Sequence, residues 1–429
     1  MKELEKSQWL GADEIRRMQW KRLKAMLRHA YQNVPLYHRR FRDSGLKPDD
    51  IKTASDMLKL PPLTREELRE AISNGEILAR NISSNRFREN RTGGSTGKPL
   101  VFYNDKVQLE YRWASTNRNM RWTGYDIGDK IIKLWSGAQY LDRSASLKER
   151  VGNYMWRRKV LSAYHMDEST MEKYVESIRE YEPKLVVGYT SALYLLAKYM
   201  EKEGIDDVRV DAVIATAETL FPGYRTVIKD RFNSEVFNRY GSREFSTLAH
   251  ECEEHSELHM NAENLFIEVV RNGEHAVAGE PGEILVTDLY NFCMPFIRYI
   301  IEDIAIPSDE EKCSCGRGLP LISTIKGRVH NLLVTPEGRY IPGEFFPHLF
   351  KDFKGVKQFQ VIQEVKDKLL IRIVKGKDYT EDEIKKALAV TKDYFGEDME
   401  ILVEYMEEIP PSPSGKRHYT ICKVPIKFS

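Results

Sequence analysis

Long apolar runs are absent from this sequence. Its 429 residues contain no stretch of about 18 uncharged apolar residues, the length that a membrane-spanning helix needs. The opening segment, MKELEKSQWLGADEIRRMQW, also lacks the apolar core of a secretory signal peptide. The sequence therefore predicts a soluble, cytoplasmic protein without a membrane span.

The sequence also has almost no net charge and few cysteines. The 66 Lys and Arg residues are balanced by 65 Asp and Glu residues, interspersed along the chain. This balance predicts no cationic face for nucleic acid. Five cysteines are too few, and odd in number, for a disulfide framework. In a reducing compartment they are expected to be free thiols or metal ligands.

The pattern of apolar residues predicts an α/β fold. Helical spacing favours an amphipathic helix within residues 13–43, interrupted at Pro35, and LPPLTREELREAI predicts a second helix with Thr64 and Glu67 as its capping box. Further on, the β-rich runs DKIIKLWSG, PKLVVGYT, VDAVIATAE and SEVFNRYGS alternate with the helical stretches TMEKYVESIREY and SALYLLAKYMEKEG. Such alternation indicates βα units around a largely parallel sheet with helices on both faces.

The chain is long enough for two or more domains. LHMNAENLFIEVV and GEILVTDLYN alternate like antiparallel strands and predict a β subdomain at about residues 257–306. The C-terminal segment has the pattern of a hairpin, a helix and a strand. We therefore predict a core domain at 1–328 and a small α+β lid at 329–429.

One segment, NRTGGSTGKPL, is rich in glycine and small polar residues. Glycines permit positive φ, so backbone N–H groups can converge on an anion, while Ser95, Thr96 and Lys98 add hydroxyls and charge. A plain surface turn is the alternative interpretation. The segment is not the P-loop of nucleoside triphosphatases, because only three residues separate Gly93 from Gly97 and proline follows the lysine.

Four later segments follow this loop in a recognisable order: RYGSREF, PFIRYIIEDIA, IKGRVHNLL and PPSPSGKRHY. Together the five segments resemble the phosphate loop, Tyr-Gly-x-x-Glu segment, ribose-binding segment, Gly-Arg hinge and C-terminal lysine loop of the adenylate-forming superfamily. YQNVPLYHRRF, LPPLTREEL, ATAETL and CSCGR most resemble the phenylacetate-CoA ligase family, particularly its branch associated with capsule and polysaccharide biosynthesis. The resemblance covers nearly the whole chain. It implies a large N-terminal domain of mostly parallel sheets with a β subdomain, and a small α+β lid.

The resemblance also implies roles for individual residues. In this family a carboxylate attacks the α-phosphorus of Mg-ATP, which calls for positioning and charge neutralisation. Lys416 would reach the oxygens between the acid and the α-phosphate, Glu244 would hold Mg²⁺, and Thr96 would contact the phosphates. The residues that the resemblance implies for nucleotide binding are Gly93, Gly94, Ser95, Thr96, Gly97, Lys98, Ala217, Glu218, Tyr240, Gly241, Asp303 and Arg328.

Two of these assignments leave a question open. Asp303 would accept hydrogen bonds from the ribose hydroxyls, but its neighbour Glu302 competes on sequence alone. Relatives usually carry an acidic residue soon after the arginine that matches Arg328, whereas this chain has His330 and Asn331. Whether the lid rotates as in relatives therefore stays open.

Cysteine and histidine cluster in HECEEHSELHM and CSCGR. Thiolates and imidazole select zinc, and four protein ligands make a closed structural site. His255 and His250 are alternatives to one histidine of the predicted set, and free thiols are the alternative to a zinc site. The predicted ligands are Cys252, His259, Cys313 and Cys315.

The function implied by the resemblance is that of an AMP-forming ligase. It would activate a carboxylic acid with Mg-ATP as an acyl-adenylate and pass the acyl group to coenzyme A, the default acceptor. Transfer to an amine or a sugar is one alternative, and a non-catalytic nucleotide-binding scaffold protein is another. The acid is not identified: Trp135, Tyr140 and Tyr189 could line its pocket or pack in the core. The oligomeric state, including a homodimer, is also open.

Overall fold

A computed structural model gives the fold of the chain. It describes residues 1–91, 100–135, 147–163, 166, 168–310, 312–326, 332–342, 345–350, 353, 355–409 and 420–424. Several predicted site residues lie outside this part of the chain, and their roles remain predictions. They are Gly93, Gly94, Ser95, Thr96, Gly97, Lys98, Tyr140, Arg328, His330, Asn331 and Lys416.

Helices and strands alternate through most of the described chain. The helices are α1 Lys2–Ser7, α2 Ala12–Asn33, α3 Pro35–Asp43, α4 Ala54–Met57, α5 Arg65–Ser73, α6 Lys106–Arg121, α7 Leu147–Met155, α8 Glu168–Tyr181, α9 Thr190–Lys202, α10 Pro222–Phe232, α11 Phe345–Phe350 and α12 Glu381–Phe395. The first strands are β1 Arg88–Arg91, β2 Val101–Asn104, β3 Ile131–Trp135, β4 Arg158–Ser162, β5 Leu185–Tyr189, β6 Ala212–Thr216, β7 Glu235–Ser242, β8 Ser246–Glu251, β9 Leu258–Met260 and β10 Leu265–Arg271. The later strands are β11 Glu274–His275, β12 Gly282–Asp288, β13 Tyr299–Pro307, β14 Leu321–Lys326, β15 Leu332–Val334, β16 Tyr340–Pro342, β17 Val356–Val365, β18 Lys368–Lys375, β19 Glu400–Met406 and β20 Thr420–Cys422.

The N-terminal helices begin and end where the sequence indicates. The helix predicted within 13–43 is divided at Pro35, which is the first residue of α3, where its missing N–H costs no helical hydrogen bond. The hydroxyl of Thr64 accepts a hydrogen bond from the backbone N–H of Glu67 at 3.2 Å, so the predicted N-cap of α5 is confirmed. The carboxylate of Glu67 accepts from Arg40. The glutamate of the predicted capping box therefore forms a tertiary ion pair with Arg40.

The chain divides into two compact units, of which the first comprises residues 1–91, 101–126 and 237–327. Its strands form an antiparallel array in the order β11-β10-β12-β13-β14-β9-β8-β7. Helix α2 packs against β10, and α6 packs against β8. The antiparallel array therefore includes the segment 257–306 that alternation predicted, together with strands on either side of it.

The second unit comprises residues 92–100, 127–236 and 328–429. Its strands β4, β3, β5 and β6 are neighbours in that order and are parallel, which confirms the βα units predicted from sequence. In the C-terminal part, β17 and β18 form the predicted hairpin, and β19 and β20 pair in parallel at its two edges. Helix α12 packs on this small sheet through Ile384 and Ala387. The fold is thus α/β with a small C-terminal α+β region.

None of the helices in the described ranges combines the length and the apolar character needed to cross a membrane.

Candidate nucleotide and metal sites

The turn between β7 and β8 presents the predicted magnesium ligand. Glu244 lies in this turn and is only 7% exposed. A Cβ atom at Gly241 would lie 2.4 Å from the carbonyl oxygen of Ser246. The backbone segments at these two positions therefore approach too closely for any residue other than glycine at position 241. Ser246 itself has a left-handed φ of 65°. Glu244 is therefore held in a tight, strained turn.

Two predicted nucleotide-binding residues meet beside this turn. The hydroxyl of Tyr240 donates a hydrogen bond of 2.9 Å to Oδ2 of Asp303, although the two residues are 63 positions apart in the sequence. The competing carboxylate, Glu302, has a left-handed φ of 69° and lies 3.8 Å from the guanidinium of Arg65. The contact with Tyr240 orients the Asp303 carboxylate, and the choice between Asp303 and Glu302 as ribose ligand stays a prediction.

Helix α6 contacts the Glu244 turn from one side. Arg112 donates through Nη2 to the carbonyl oxygen of Arg243 at 2.8 Å. Burial lowers the pKa of Arg112, while the charges of Asp288 and Glu244 act in the opposite direction. This contact was not predicted from the sequence. Its signal is the polar pair Arg112 and Thr116, which lie four positions apart and so share one face of a helix.

In the second unit, Ala217 and Glu218 follow the end of β6, and Ala217 has a left-handed φ of 70°. The Glu218 carboxylate accepts hydrogen bonds from the backbone N–H of Ser191 at 2.6 Å and from its hydroxyl at 3.0 Å. The carbonyl oxygen of Glu218 accepts from the hydroxyl of Thr190 at 3.2 Å. Carboxyl ends of parallel strands are where α/β sheets bind ligands. The resemblance assigned these residues to nucleotide binding, and no sequence pattern indicated that Glu218 caps α9.

Of the aromatic residues proposed for the acid pocket, the two that the structure describes, Trp135 and Tyr189, pack against each other. The rings of Trp135 and Tyr189, at the ends of β3 and β5, have centroids 4.7 Å apart, and Tyr189 is 3% exposed. Tyr189 belongs to the apolar core of the second unit, and Trp135 packs against that core. This packing agrees with the core interpretation for Tyr189 and leaves Trp135 half-buried.

The four predicted zinc ligands converge. One ligand atom from each of Cys252, His259, Cys313 and Cys315 lies within 4.8 Å of the others. The Sγ atoms of Cys252 and Cys313 are 3.6 Å apart, and Sγ of Cys315 is 3.4 Å from Nε2 of His259. Bonds of about 2.3 Å to sulfur and 2.0–2.1 Å to nitrogen in a tetrahedral centre predict about 3.8 and 3.6 Å for these separations. The donor set therefore fits one small tetrahedral metal ion.

Three separate segments bring these ligands together. Cys252 directly follows β8, His259 lies within β9, and Cys313 and Cys315 lie in the loop before β14. A φ of 81° at Gly316 turns that loop back toward the strands. The backbone N–H of Arg317 donates to Sγ of Cys315 at 3.4 Å, which helps to hold this sulfur atom in place.

The remaining histidines have other surroundings. Nδ1 of His250 lies 2.6 Å from the carbonyl oxygen of Glu251, and Nδ1 of His255 lies 3.5 Å from the Glu251 carboxylate. Burial lowers the pKa of His259 to about 4 and that of His250 to about 3, which favours neutral imidazole at both positions. Of the three candidates, His259 is the one whose ring nitrogen lies among the thiols.

Several known proteins are similar in sequence to this chain. The CapK C-terminal domain family matches residues 333–423. Protein CapK of Staphylococcus aureus is 24% identical over 418 residues, which cover 95% of this chain and 89% of the relative. The phenylacetate-coenzyme A ligase of Pseudomonas putida is 27% identical over 377 residues, covering 83% and 79%. The corresponding ligase of Escherichia coli K12 is 26% identical over 359 residues, covering 80% and 77%.

Solved structures share the fold at lower identity. The 2-hydroxyisobutyryl-CoA ligase in complex with 2-HIB-AMP and CoA, in its thioesterification state, superposes with a TM-score of 0.67 at 17% identity, covering 97% of this chain and 91% of the ligase. An open conformation of the same ligase gives a TM-score of 0.61, covering 94% and 90%. The chain therefore has the fold of adenylate-forming ligases, and its homologues are Protein CapK and the phenylacetate-coenzyme A ligases.

Proposed function

We propose that this chain is an AMP-forming ligase that activates a carboxylic acid with Mg-ATP and transfers the acyl group to coenzyme A. The observation that carries the proposal is the 2.9 Å hydrogen bond between Tyr240 and Asp303. It joins two segments, RYGSREF and PFIRYIIEDIA, that the resemblance assigned separately to nucleotide binding. The ligase homologues support the same reaction class.

The first half-reaction forms an acyl-adenylate. A carboxylate oxygen of the acid attacks the α-phosphorus of ATP. The bond between the α-phosphorus and the oxygen that bridges the α- and β-phosphates breaks, and pyrophosphate leaves. Asp303, oriented by Tyr240, would accept hydrogen bonds from the ribose hydroxyls. Glu244 would hold Mg²⁺, which neutralises phosphate charge when bound. We assign the remaining phosphate contacts to the glycine loop with Thr96, and the oxygens at the reacting centre to Lys416, by resemblance alone.

In the second half-reaction the thiolate sulfur of coenzyme A attacks the acyl carbonyl carbon, and AMP leaves. Coenzyme A is the acceptor named for the phenylacetate-coenzyme A ligase homologues. No comparable support exists for an amine or sugar acceptor. A scaffold role without catalysis is disfavoured because the sequence retains both Glu244 and Lys416. The cytoplasmic location and the homodimer remain predictions.

We further propose that Cys252, His259, Cys313 and Cys315 hold one structural Zn²⁺. Three sulfur donors and one imidazole nitrogen are the ligand types of closed zinc sites. With four protein ligands the ion has no open coordination position, so it would cross-link three segments of the first unit and take no part in adenylation.

Exchange of labelled pyrophosphate into ATP tests the first half-reaction. The purified chain is incubated with Mg-ATP, labelled pyrophosphate and a panel of aromatic, aliphatic and hydroxylated carboxylic acids. We expect exchange that depends on one class of acid and that Glu244→Gln weakens at limiting Mg²⁺. Absence of exchange with every acid, from a protein that binds ATP, would contradict the proposed activity.

The acceptor is then identified by AMP release with the active acid. Coenzyme A should accelerate AMP formation and yield a thioester detectable by mass spectrometry. Matched reactions with simple amines or amino sugars provide the comparison. Acceleration by an amine or sugar, with coenzyme A inactive, would replace the proposed acceptor while leaving adenylation in place.

A further inference from the structure

Two side chains of α6 form hydrogen bonds with the turn that carries Glu244. The hydroxyl of Thr116 hydrogen-bonds with the hydroxyls of Ser246 and Thr247, each at 3.1 Å. One helical turn earlier, Arg112 donates to the carbonyl oxygen of Arg243 at 2.8 Å. The two side chains therefore contact the chain directly before and shortly after Glu244.

The turn needs support from outside because its own backbone is strained. Ser246 has a φ of 65°, in the left-handed region that a residue with a Cβ atom adopts at a cost. The pairing of β7 with β8 shifts register between Tyr240 and Gly241, so the regular ladder is interrupted at the same place. Strain of this kind persists only where surrounding contacts hold it and is common at functional sites.

We propose that Thr116 and Arg112 are positioning residues that hold the β7–β8 turn so that the Glu244 carboxylate meets the magnesium ion of Mg-ATP. The inference rests on the proposed function, in which Glu244 is the magnesium ligand. Neither residue is required to touch the nucleotide. Thr116 contributes through its hydroxyl without charge, whereas Arg112 also brings a positive charge close to Glu244.

This difference makes Thr116 the sharper residue to test. Substitution of Arg112 would change both geometry and charge, and the added attraction for Mg²⁺ would oppose the loss of positioning. Thr116→Val keeps the branched shape and removes only the hydroxyl. Thr116→Ser retains the hydroxyl and serves as the conservative rescue.

The experiment measures binding of ATP by calorimetry as Mg²⁺ is varied, so that its readout does not depend on turnover. The loss of two hydroxyl contacts is expected to raise the Mg²⁺ concentration for half-maximal ATP binding about 3- to 10-fold in Thr116→Val. Thr116→Ser should stay close to wild type. Asn117→Ala is the matched control on the same helix, because its amide donates to the Trp113 carbonyl within α6.

Ser246→Gly provides an independent variant that is expected to fold. Glycine suits the φ of 65° at this position, so backbone strain falls while the hydroxyl that contacts Thr116 is lost. We expect a thermal midpoint no lower than that of wild type, together with a rise in the Mg²⁺ concentration for half-maximal ATP binding. A purely structural role would not separate these two readouts.

The outcomes distinguish this inference from the proposed function. Wild-type Mg²⁺ dependence in both Thr116→Val and Ser246→Gly would overturn the positioning role, even if pyrophosphate exchange proceeds normally. Equal changes in Asn117→Ala would overturn it as well. If the variants shift the Mg²⁺ dependence as expected but no acid supports exchange, the positioning role stands and the proposed ligase activity fails. Failure of wild type to bind Mg-ATP would overturn both.

Discussion

Replacing one cysteine of the proposed zinc site should abolish zinc binding and remove a measurable part of the stability of the first unit. Cys252 and Cys313 are 61 positions apart, so a metal held between them closes a long loop. The chain-entropy relation for a cross-link of this span gives about 4 kcal/mol. This is an upper figure for a metal centre, since the apoprotein retains β8–β9 and β9–β14 pairing. For a unit of roughly 200 residues, about 2–4 °C per kcal/mol gives a fall in Tm of up to about 8–16 °C.

The assay combines metal analysis with thermal unfolding. Wild type should contain about one zinc per chain, the stoichiometry of one four-ligand site, and should lose stability on treatment with a chelator. Cys313→Ser should contain little zinc, unfold at lower temperature and respond no further to the chelator. His259→Ala should behave alike, whereas His255→Ala should retain zinc.

Cys422→Ser is the matched control, since this cysteine lies in β20 and belongs to the second unit. Its zinc content should equal that of wild type. Adenylation per folded molecule should persist in Cys313→Ser, because a closed site has no position for substrate. Wild-type protein devoid of zinc, with a Tm indifferent to the chelator, would refute the reasoning and return these cysteines to free thiols.

Three further substitutions test the nucleotide site. Lys416→Ala should lower acid-dependent pyrophosphate exchange on the order of 100-fold without a change in Tm, and an unchanged rate would remove it from catalysis. Tyr240→Phe should raise the KM for ATP about 10-fold by removing a hydrogen bond to the Asp303 carboxylate, and its effect should be non-additive with Asp303→Asn in steady-state kinetics. Glu218→Gln should cost about 1–2 kcal/mol of unfolding free energy by weakening the cap on Ser191, and a denaturant midpoint equal to wild type would count against that cap.

Much of the fold was predictable because local patterns decide it. The period of the apolar residues located α2, and proline chemistry located its end before Pro35. The β-rich runs at β3, β5 and β6 were predicted in position and in parallel direction. The antiparallel array of the first unit was predicted only over part of its extent, because the short strands β8 and β9 carry too few residues for alternation to be distinctive.

The candidate site was predictable in its residue types more than in its contacts. The Cys-x-Cys and Cys/His segments identified four groups that converge in the structure, because soft donors at short spacing are a chemical signal. The bond between Tyr240 and Asp303 depends on the tertiary fold, since 63 residues separate the partners. Likewise, Glu218 caps a helix that begins 28 residues earlier, and no local pattern encodes that contact.

Strand β8 explains how the proposed zinc site and the proposed magnesium ligand can lie in one segment yet serve separate purposes. Glu244 stands two residues before the strand begins, and Cys252 directly follows its end. Six extended residues place the two ends about 20 Å apart. Pairing with β7 and β9 on either side resists a shift along the strand. Loss of a ligand at the cysteine end should therefore change stability. Loss of the hydrogen bonds from α6 should change the Mg²⁺ dependence of ATP binding. Combining Cys313→Ser with Thr116→Val should give the Mg²⁺ dependence of Thr116→Val alone, as sites this far apart usually act additively. A larger shift in the double variant would show that β8 transmits the state of the metal centre to Glu244.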